Sequence, residues 1–95
     1  MTRPLNRRST PKLKEAREIG WSIWDPLYLV EYRPHCDDEY DDYILTSLGM
    51  FHCGHTIEDV SNYLYWIEQI YMNRREKASM ERCQRFAEAL NQFRQ

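Results

Sequence analysis

The sequence predicts an all-α fold, a compact domain resembling a four-helix bundle. Apolar residues recur at spacings of three and four in four stretches, which is the period of an amphipathic helix. Start and stop signals for helices separate these stretches, and the one short run that resembles a strand has no second strand to pair with. Ninety-five residues suffice for a single modest core. We therefore divide the chain into a flexible basic arm, residues 1–9, and one helical domain, residues 10–95.

The first helix begins at Thr10-Pro11, where a hydroxyl cap precedes a proline whose missing N–H is not needed in the first turn. It ends before Pro26, because the residue that precedes a proline avoids the helical conformation. Gly20 weakens this helix by about 1 kcal/mol relative to alanine unless a neighbour packs closely against it. The inward positions are Leu13, Ala16, Ile19 or Gly20, Ile23 and Trp24.

A short apolar run follows at residues 27–32, and we predict an extended segment that lies across the bundle. The second helix begins near Asp38 or Glu39, with acidic residues in its first turn, where the helix dipole favours them. It ends at Gly54, the expected left-handed stop. Its apolar face consists of Tyr40, Tyr43, Ile44, Leu48 and Phe51.

The third helix opens at Thr56, with Asp59 at the position of the reciprocal capping residue. A polar turn at residues 73–75 separates it from a fourth helix over about residues 76–93. The inward residues of the third helix are Ile57, Val60, Leu64, Ile67 and Tyr71, reinforced by Tyr63 and Ile70. Those of the fourth are Met80, Cys83, Phe86 or Ala87, Leu90 and Phe93.

Charge is distributed unevenly along the chain. Residues 1–17 carry six basic side chains and one acid, residues 18–72 one basic side chain and eleven acids, and residues 73–95 six basic side chains and three acids. The formal net charge of −2 therefore hides an acidic middle between basic ends. This asymmetry is typical of a chain whose middle meets a basic protein, or whose zones pair with one another.

Composition excludes several classes of protein. Three cysteines, far apart and odd in number, do not make a disulfide scaffold. No apolar run approaches the roughly 18 residues that a membrane span needs. The basic N-terminus has no apolar region behind it, so we do not interpret it as a secretory signal. We predict a cytoplasmic protein without a membrane partner.

The main functional signal is the acidic run, residues 37–42, which places five carboxylates within six residues. Such a cluster attracts a basic protein, and the tyrosines around it supply contact area with little entropy loss. Two alternatives are a solvated helix start and an all-oxygen cation site, although the spacing of a calcium loop is missing. We predict a partner-binding surface formed by Asp37, Asp38, Glu39, Asp41, Asp42, Tyr28 and Tyr32.

Histidine and cysteine occur in two short groups, and their side chains are zinc ligands. The candidates for a zinc site are His35, Cys36, His52, Cys53 and His55. Their spacing fits no standard finger or ribbon, and a packed cysteine beside solvated histidines is the simpler interpretation. A Cys–His nucleophile lacks an oxyanion hole here, and phosphate-loop and serine-hydrolase motifs are missing. We therefore predict a protein without enzymatic activity and without a cofactor.

The basic N-terminal residues suggest a different class, a small regulator that contacts nucleic acid. The chain has no recognised nucleic-acid module, and its acidic middle opposes a polyanion. The candidate phosphate contacts are Arg3, Arg7, Arg8, Lys12, Lys14 and Arg17.

The large aromatic residues divide by their helical positions. Trp24 and Trp66 are most simply core residues, and their indole N–H groups will need partners. Trp21 and Tyr65 fall off those faces and are candidate exposed anchors.

One motif of the chain consists of Trp24-Asp25-Pro26, then a short apolar loop, then Asp38-Glu39-Tyr40-Asp41 and Tyr43-Ile44. In this motif the chain resembles the YugE-like family. This is a mostly uncharacterised group of small bacterial proteins with compact all-helical domains. The capped helix at residues 56–72 and the closing segment at residues 81–87 are also similar, so the resemblance covers about residues 13–93. Some proteins of this kind resemble immunity proteins, in which a small acidic domain blocks a basic toxin. The long basic arm and the additional His and Cys residues depart from the family pattern.

The same motif has a structural interpretation. Asp25 would accept backbone N–H bonds at a neighbouring helix start, and Tyr40 or Tyr43 would pack on Trp24, which holds the corner after the first helix. The acidic run and the resemblance together predict an immunity protein that neutralises a basic toxin. The alternatives are the nucleic-acid regulator and a zinc-stabilised helical domain.

Overall fold

The computed structural model describes residues 11–95, and every regular element in that range is helical. The predicted arm and the Thr10 cap lie outside the described residues. The all-α prediction is confirmed, and the four predicted helices correspond to α1, α3, α4 and α5 below. None of the helices within residues 11–95 is both long and apolar enough to cross a membrane. The elements are α1 (Pro11–Ile19) with a π turn (Gly20–Trp24), a 3₁₀ turn (Val30–Tyr32), α2 (Arg33–Cys36), α3 (Asp41–His52), α4 (Ile57–Trp66) with a second π turn (Ile67–Tyr71), and α5 (Met80–Arg94).

The two π turns change which side chains face the core. Each turn closes with an N–H bond to the carbonyl five residues earlier, from Asp25 to Gly20 at 3.0 Å and from Met72 to Ile67 at 2.9 Å. Residues five apart then lie on one side of the helix, which a period of 3.6 does not predict. Trp21 is consequently buried, so its predicted exposure was wrong. Trp66 is half exposed, and its predicted place in the core was also wrong.

Trp24 lies at the centre of the core, as predicted. Its ring stacks on Phe86 at 5.1 Å between centroids and also contacts Tyr40 at 5.4 Å and Tyr43 at 5.9 Å. Gly20 lies in the same region, where a Cβ atom would approach Ile44 Cδ1 to 3.1 Å. The missing side chain therefore lets α1 approach α3 closely, which offsets the low helix propensity of glycine.

The segment after Trp24 is not extended, so that prediction was wrong. Asp25 Oδ1 accepts the Leu29 N–H at 2.9 Å, and Oδ2 accepts the Val30 N–H at 3.2 Å. These bonds curl the chain into the 3₁₀ turn, because the aspartate replaces the missing helical partners of two N–H groups. Tyr40 Oη donates to Asp25 Oδ1 at 2.7 Å and fixes that carboxylate from the other side. The structural interpretation of the Trp-Asp-Pro motif is thus confirmed.

Local signals set most helix boundaries. Gly54 has a φ of 96°, the predicted left-handed stop, and Thr56 with Asp59 forms the predicted capping box. The second predicted helix starts at Asp41 rather than at residue 38 or 39. The fourth starts later than residue 76, because the Ser79 side chain accepts the Arg82 N–H at 3.1 Å and caps α5.

Candidate functional site

The acidic run does not form one surface, because Asp41 lies inside the protein. Its side chain is 1 % exposed and accepts two bonds from Arg17, from Nε to Oδ1 at 3.0 Å and from Nη2 to Oδ2 at 2.7 Å. This bidentate hydrogen bonding from Asp41 raises the pKa of Arg17. The prediction that Asp41 contacts a partner is therefore wrong, since its carboxylate is taken by Arg17 of α1. Arg17 itself is buried and is not a free phosphate contact.

Asp37 belongs to the same ion-pair network but lies nearer the surface. Its Oδ2 accepts a bond from Arg17 Nη1 at 3.1 Å, and its Oδ1 pairs with Arg33 Nε. Arg33 also pairs with Glu18 and lies over the Trp21 ring, 5.3 Å from the centroid. Two guanidinium groups therefore offset the charge of Asp37, which reduces its attraction for a basic partner.

Three acidic side chains of the run remain exposed: Asp38, Glu39 and Asp42. Two of them lie near a group of tyrosines. Burial raises the pKa of Tyr43 first, and the charges of Glu39, Tyr71, Tyr63 and Asp42 raise it further. Burial also raises the pKa of Tyr63, and Asp42 and Tyr71 add to it. Glu39 and Asp42 thus lie at the edge of a tyrosine cluster.

Exposed aromatic rings extend this cluster along the end of α4. Tyr71 is 71 % exposed and Trp66 is 50 % exposed, and their rings stack with centroids 6.4 Å apart. They are five residues apart, so the π turn is what brings them together. We call the whole group the acidic–aromatic surface; it consists of Glu39, Asp42, Tyr43, Tyr63, Trp66 and Tyr71.

The aromatic half of this surface was not predicted from the sequence. Trp66 and Tyr71 were both expected in the core, Tyr71 because it fits a helical period that continues through residue 71. The sequence signal for this exposed group was the width of the apolar pattern. Residues 63–71 carry more large apolar side chains than one stripe of a helix can bury.

The two tyrosines predicted as anchors, Tyr28 and Tyr32, are both exposed. Tyr32 lies on the 3₁₀ turn. Tyr28 lies beside two cations, with Arg74 Cζ 5.3 Å and Lys77 Nζ 5.7 Å from its ring centroid. These charges would repel a basic partner, so Tyr28 does not belong to the acidic–aromatic surface.

The candidate zinc ligands are not brought together. His35 and Cys36 lie on α2, His52 ends α3, and the exposed Cys53 and His55 follow it. Across residues 11–95, no group of three or more His, Cys, Asp or Glu side chains has an arrangement that holds a metal ion. The zinc hypothesis therefore has no site in that part of the chain.

A buried network around Glu68 was not predicted. Its Oε2 accepts bonds from Trp24 Nε1 at 2.6 Å and from Cys83 Sγ at 3.1 Å, and its Oε1 accepts a bond from Arg82 Nη2 at 2.5 Å. Glu68 follows Leu64 by four residues and so lies on the apolar stripe of this helix. An acidic residue at such a position was the sequence signal for a buried network. The side chain has no exposed surface, so it stabilises the core rather than meeting a ligand. It also supplies the partner that the Trp24 N–H was expected to need.

No family model, curated protein or solved structure matches the chain.

Proposed function

We propose that this chain is a non-enzymatic protein-binding module that takes a basic protein on its acidic–aromatic surface. The observations that support it are the charges of Glu39 and Asp42 acting on Tyr43, on which Tyr71 also acts, and the exposed, stacked rings of Tyr71 and Trp66. In the form that the YugE-like resemblance implies, the partner is a bacterial toxin, and this chain is the immunity protein that covers its basic active site.

The two halves of the surface have different tasks in this proposal. Glu39 and Asp42 attract Lys and Arg side chains over a distance of about 8–10 Å at physiological salt, which increases the rate of encounter. Trp66 and Tyr71 then bury their rings against the partner, which slows dissociation. Stacking orders both rings before binding, so less side-chain entropy is lost on association.

Affinity capture from a lysate of the source organism tests the proposal. The baits are the wild type, the surface variant Glu39→Gln/Asp42→Asn, and the control variant Glu81→Gln/Glu88→Gln. The control removes two exposed acids from α5 and leaves the acidic–aromatic surface intact. Both variants thus lose the same charge from different places.

We expect a basic protein to be captured by the wild type and the control and to be reduced in the surface variant. Equal capture by all three baits would contradict the assignment of the interface to Glu39 and Asp42. Recovery of nucleic acid without a protein would favour the regulator hypothesis instead.

A further inference from the structure

The turn between α4 and α5 forms an open depression of about 410 Å³ that the acidic–aromatic surface does not include. Such a volume is within the range of small-molecule sites. We call this the basic turn; its lining residues are Asn73, Arg74, Arg75, Glu76 and Lys77. Three cations against one carboxylate give the depression a positive charge.

The three cations of the basic turn have no carboxylate partner among residues 11–95. Each of the described ion pairs of this protein involves other basic residues: Arg17, Arg33, His55 and Arg82. Arg74, Arg75 and Lys77 are therefore not neutralised by a carboxylate of the described residues, and an anion from outside the chain can pair with them.

The Tyr28 ring holds two of the three cations in position. Tyr28 lies under Arg74 and Lys77, with both charges within 6 Å of its ring centroid. Its φ of 56° is rare for a bulky residue, so the fold holds the ring at a cost in backbone strain. The other side of the turn is fixed by the bond from Arg74 N–H to the Glu68 carbonyl, at 2.8 Å.

We propose that the basic turn binds a doubly charged oxyanion, a phosphate group that is either free or part of a small phosphate monoester. Guanidinium groups donate several N–H bonds in a plane that matches phosphate oxygens, and Lys77 adds a point charge. A dianion offsets the net charge of the three cations and Glu76. The basic turn shares no residue with the acidic–aromatic surface.

Titration of ¹⁵N-labelled protein followed by NMR tests this proposal. The added compounds are inorganic phosphate, glucose 6-phosphate and, as a monovalent control, acetate, at constant ionic strength and at a pH above the second phosphate pKa of about 6. The variants are Arg74→Gln and Arg75→Gln. Arg75 is exposed and has no described contact, so its variant keeps the fold. Lys14→Gln is the control, since it removes one exposed cation from α1.

We expect saturable shifts confined to the amides of residues 73–77 and the Tyr28 amide, with half-saturation at about 1 mM or below. Arg74→Gln should weaken phosphate binding about tenfold, because a charged hydrogen bond is lost. Arg75→Gln replaces it if Arg74→Gln does not fold. Lys14→Gln should leave the affinity unchanged. Tighter binding of glucose 6-phosphate than of phosphate would identify a monoester, and the reverse would identify the free ion. Shifts that do not saturate, equal binding of acetate, or unchanged affinity in the arginine variants would overturn the proposal.

Discussion

Replacing Asp41 with alanine separates its structural role from that of its neighbour Asp42. The change removes both carboxylate oxygens that Arg17 contacts and leaves a guanidinium group in a side chain that is only 11 % exposed. Breaking one partner of a buried pair costs roughly 3–5 kcal/mol. Asp37 retains one contact with Arg17 at 3.1 Å, so we expect the lower end, about 3 kcal/mol. This is a large part of the ~5–15 kcal/mol by which such a domain is stable.

Urea unfolding followed by circular dichroism measures the effect, and a thermal scan gives a second estimate. A loss of about 3 kcal/mol corresponds to a melting temperature lower by roughly 12–24 °C for a domain of this size. Asp42→Ala is the matched control, because it also removes an acid from the first turn of α3 but from an exposed position. It should cost about 0.5 kcal/mol, mainly the lost dipole interaction. Equal losses for the two variants, or a loss below about 1 kcal/mol for Asp41→Ala, would refute the assignment of a buried ion pair.

Three further predictions follow from the core. Gly49→Ala should raise the free energy of unfolding by about 1 kcal/mol, because a Cβ there meets no described atom within 4 Å. Gly20→Ala should give no gain, because a Cβ there approaches Ile44. Urea midpoints measure both effects. Burial and then the hydrogen bond to Asp25 raise the pKa of Tyr40, so its contribution to stability is complete below the unfolded pKa of about 10 and is lost as the pH rises further. The urea midpoint should begin to fall near about pH 10 and keep falling above it, less so in Tyr40→Phe. Burial raises the pKa of the Cys83 thiol, so a thiol reagent should modify Cys83 only when the protein unfolds, whereas it should modify the exposed Cys53 at once. Mass spectrometry over time distinguishes the two modification rates.

The parts of the fold that depend on local chemistry could be predicted. The capping box at Thr56 and the stop at Gly54 involve residues within three or four positions, so the sequence contains the whole interaction. The π turns could not be predicted in this way. The first lies where Trp21 and Trp24 pack against Tyr40 and Phe86, and that packing joins residues far apart in the sequence.

The candidate site was only partly predictable for a similar reason. The acidic run was visible, but the separation of Asp41 from Asp42 depends on Arg17, which lies 24 residues earlier in the chain. The stacking of Trp66 on Tyr71 depends on the second π turn. Charge patterns therefore identified the region of the surface, and long-range contacts determined which side chains belong to it.

Binding kinetics of the captured partner, measured at several salt concentrations, test the proposed function most directly. Glu39→Gln/Asp42→Asn should lower the association rate constant about tenfold at low salt, and this difference should shrink as salt screens the charges. Tyr71→Ala should instead raise the dissociation rate constant at every salt concentration, because a buried anchor is lost. Association rates that are independent of salt and equal in the wild type and the surface variant would contradict the claim that the acidic–aromatic surface receives a basic protein.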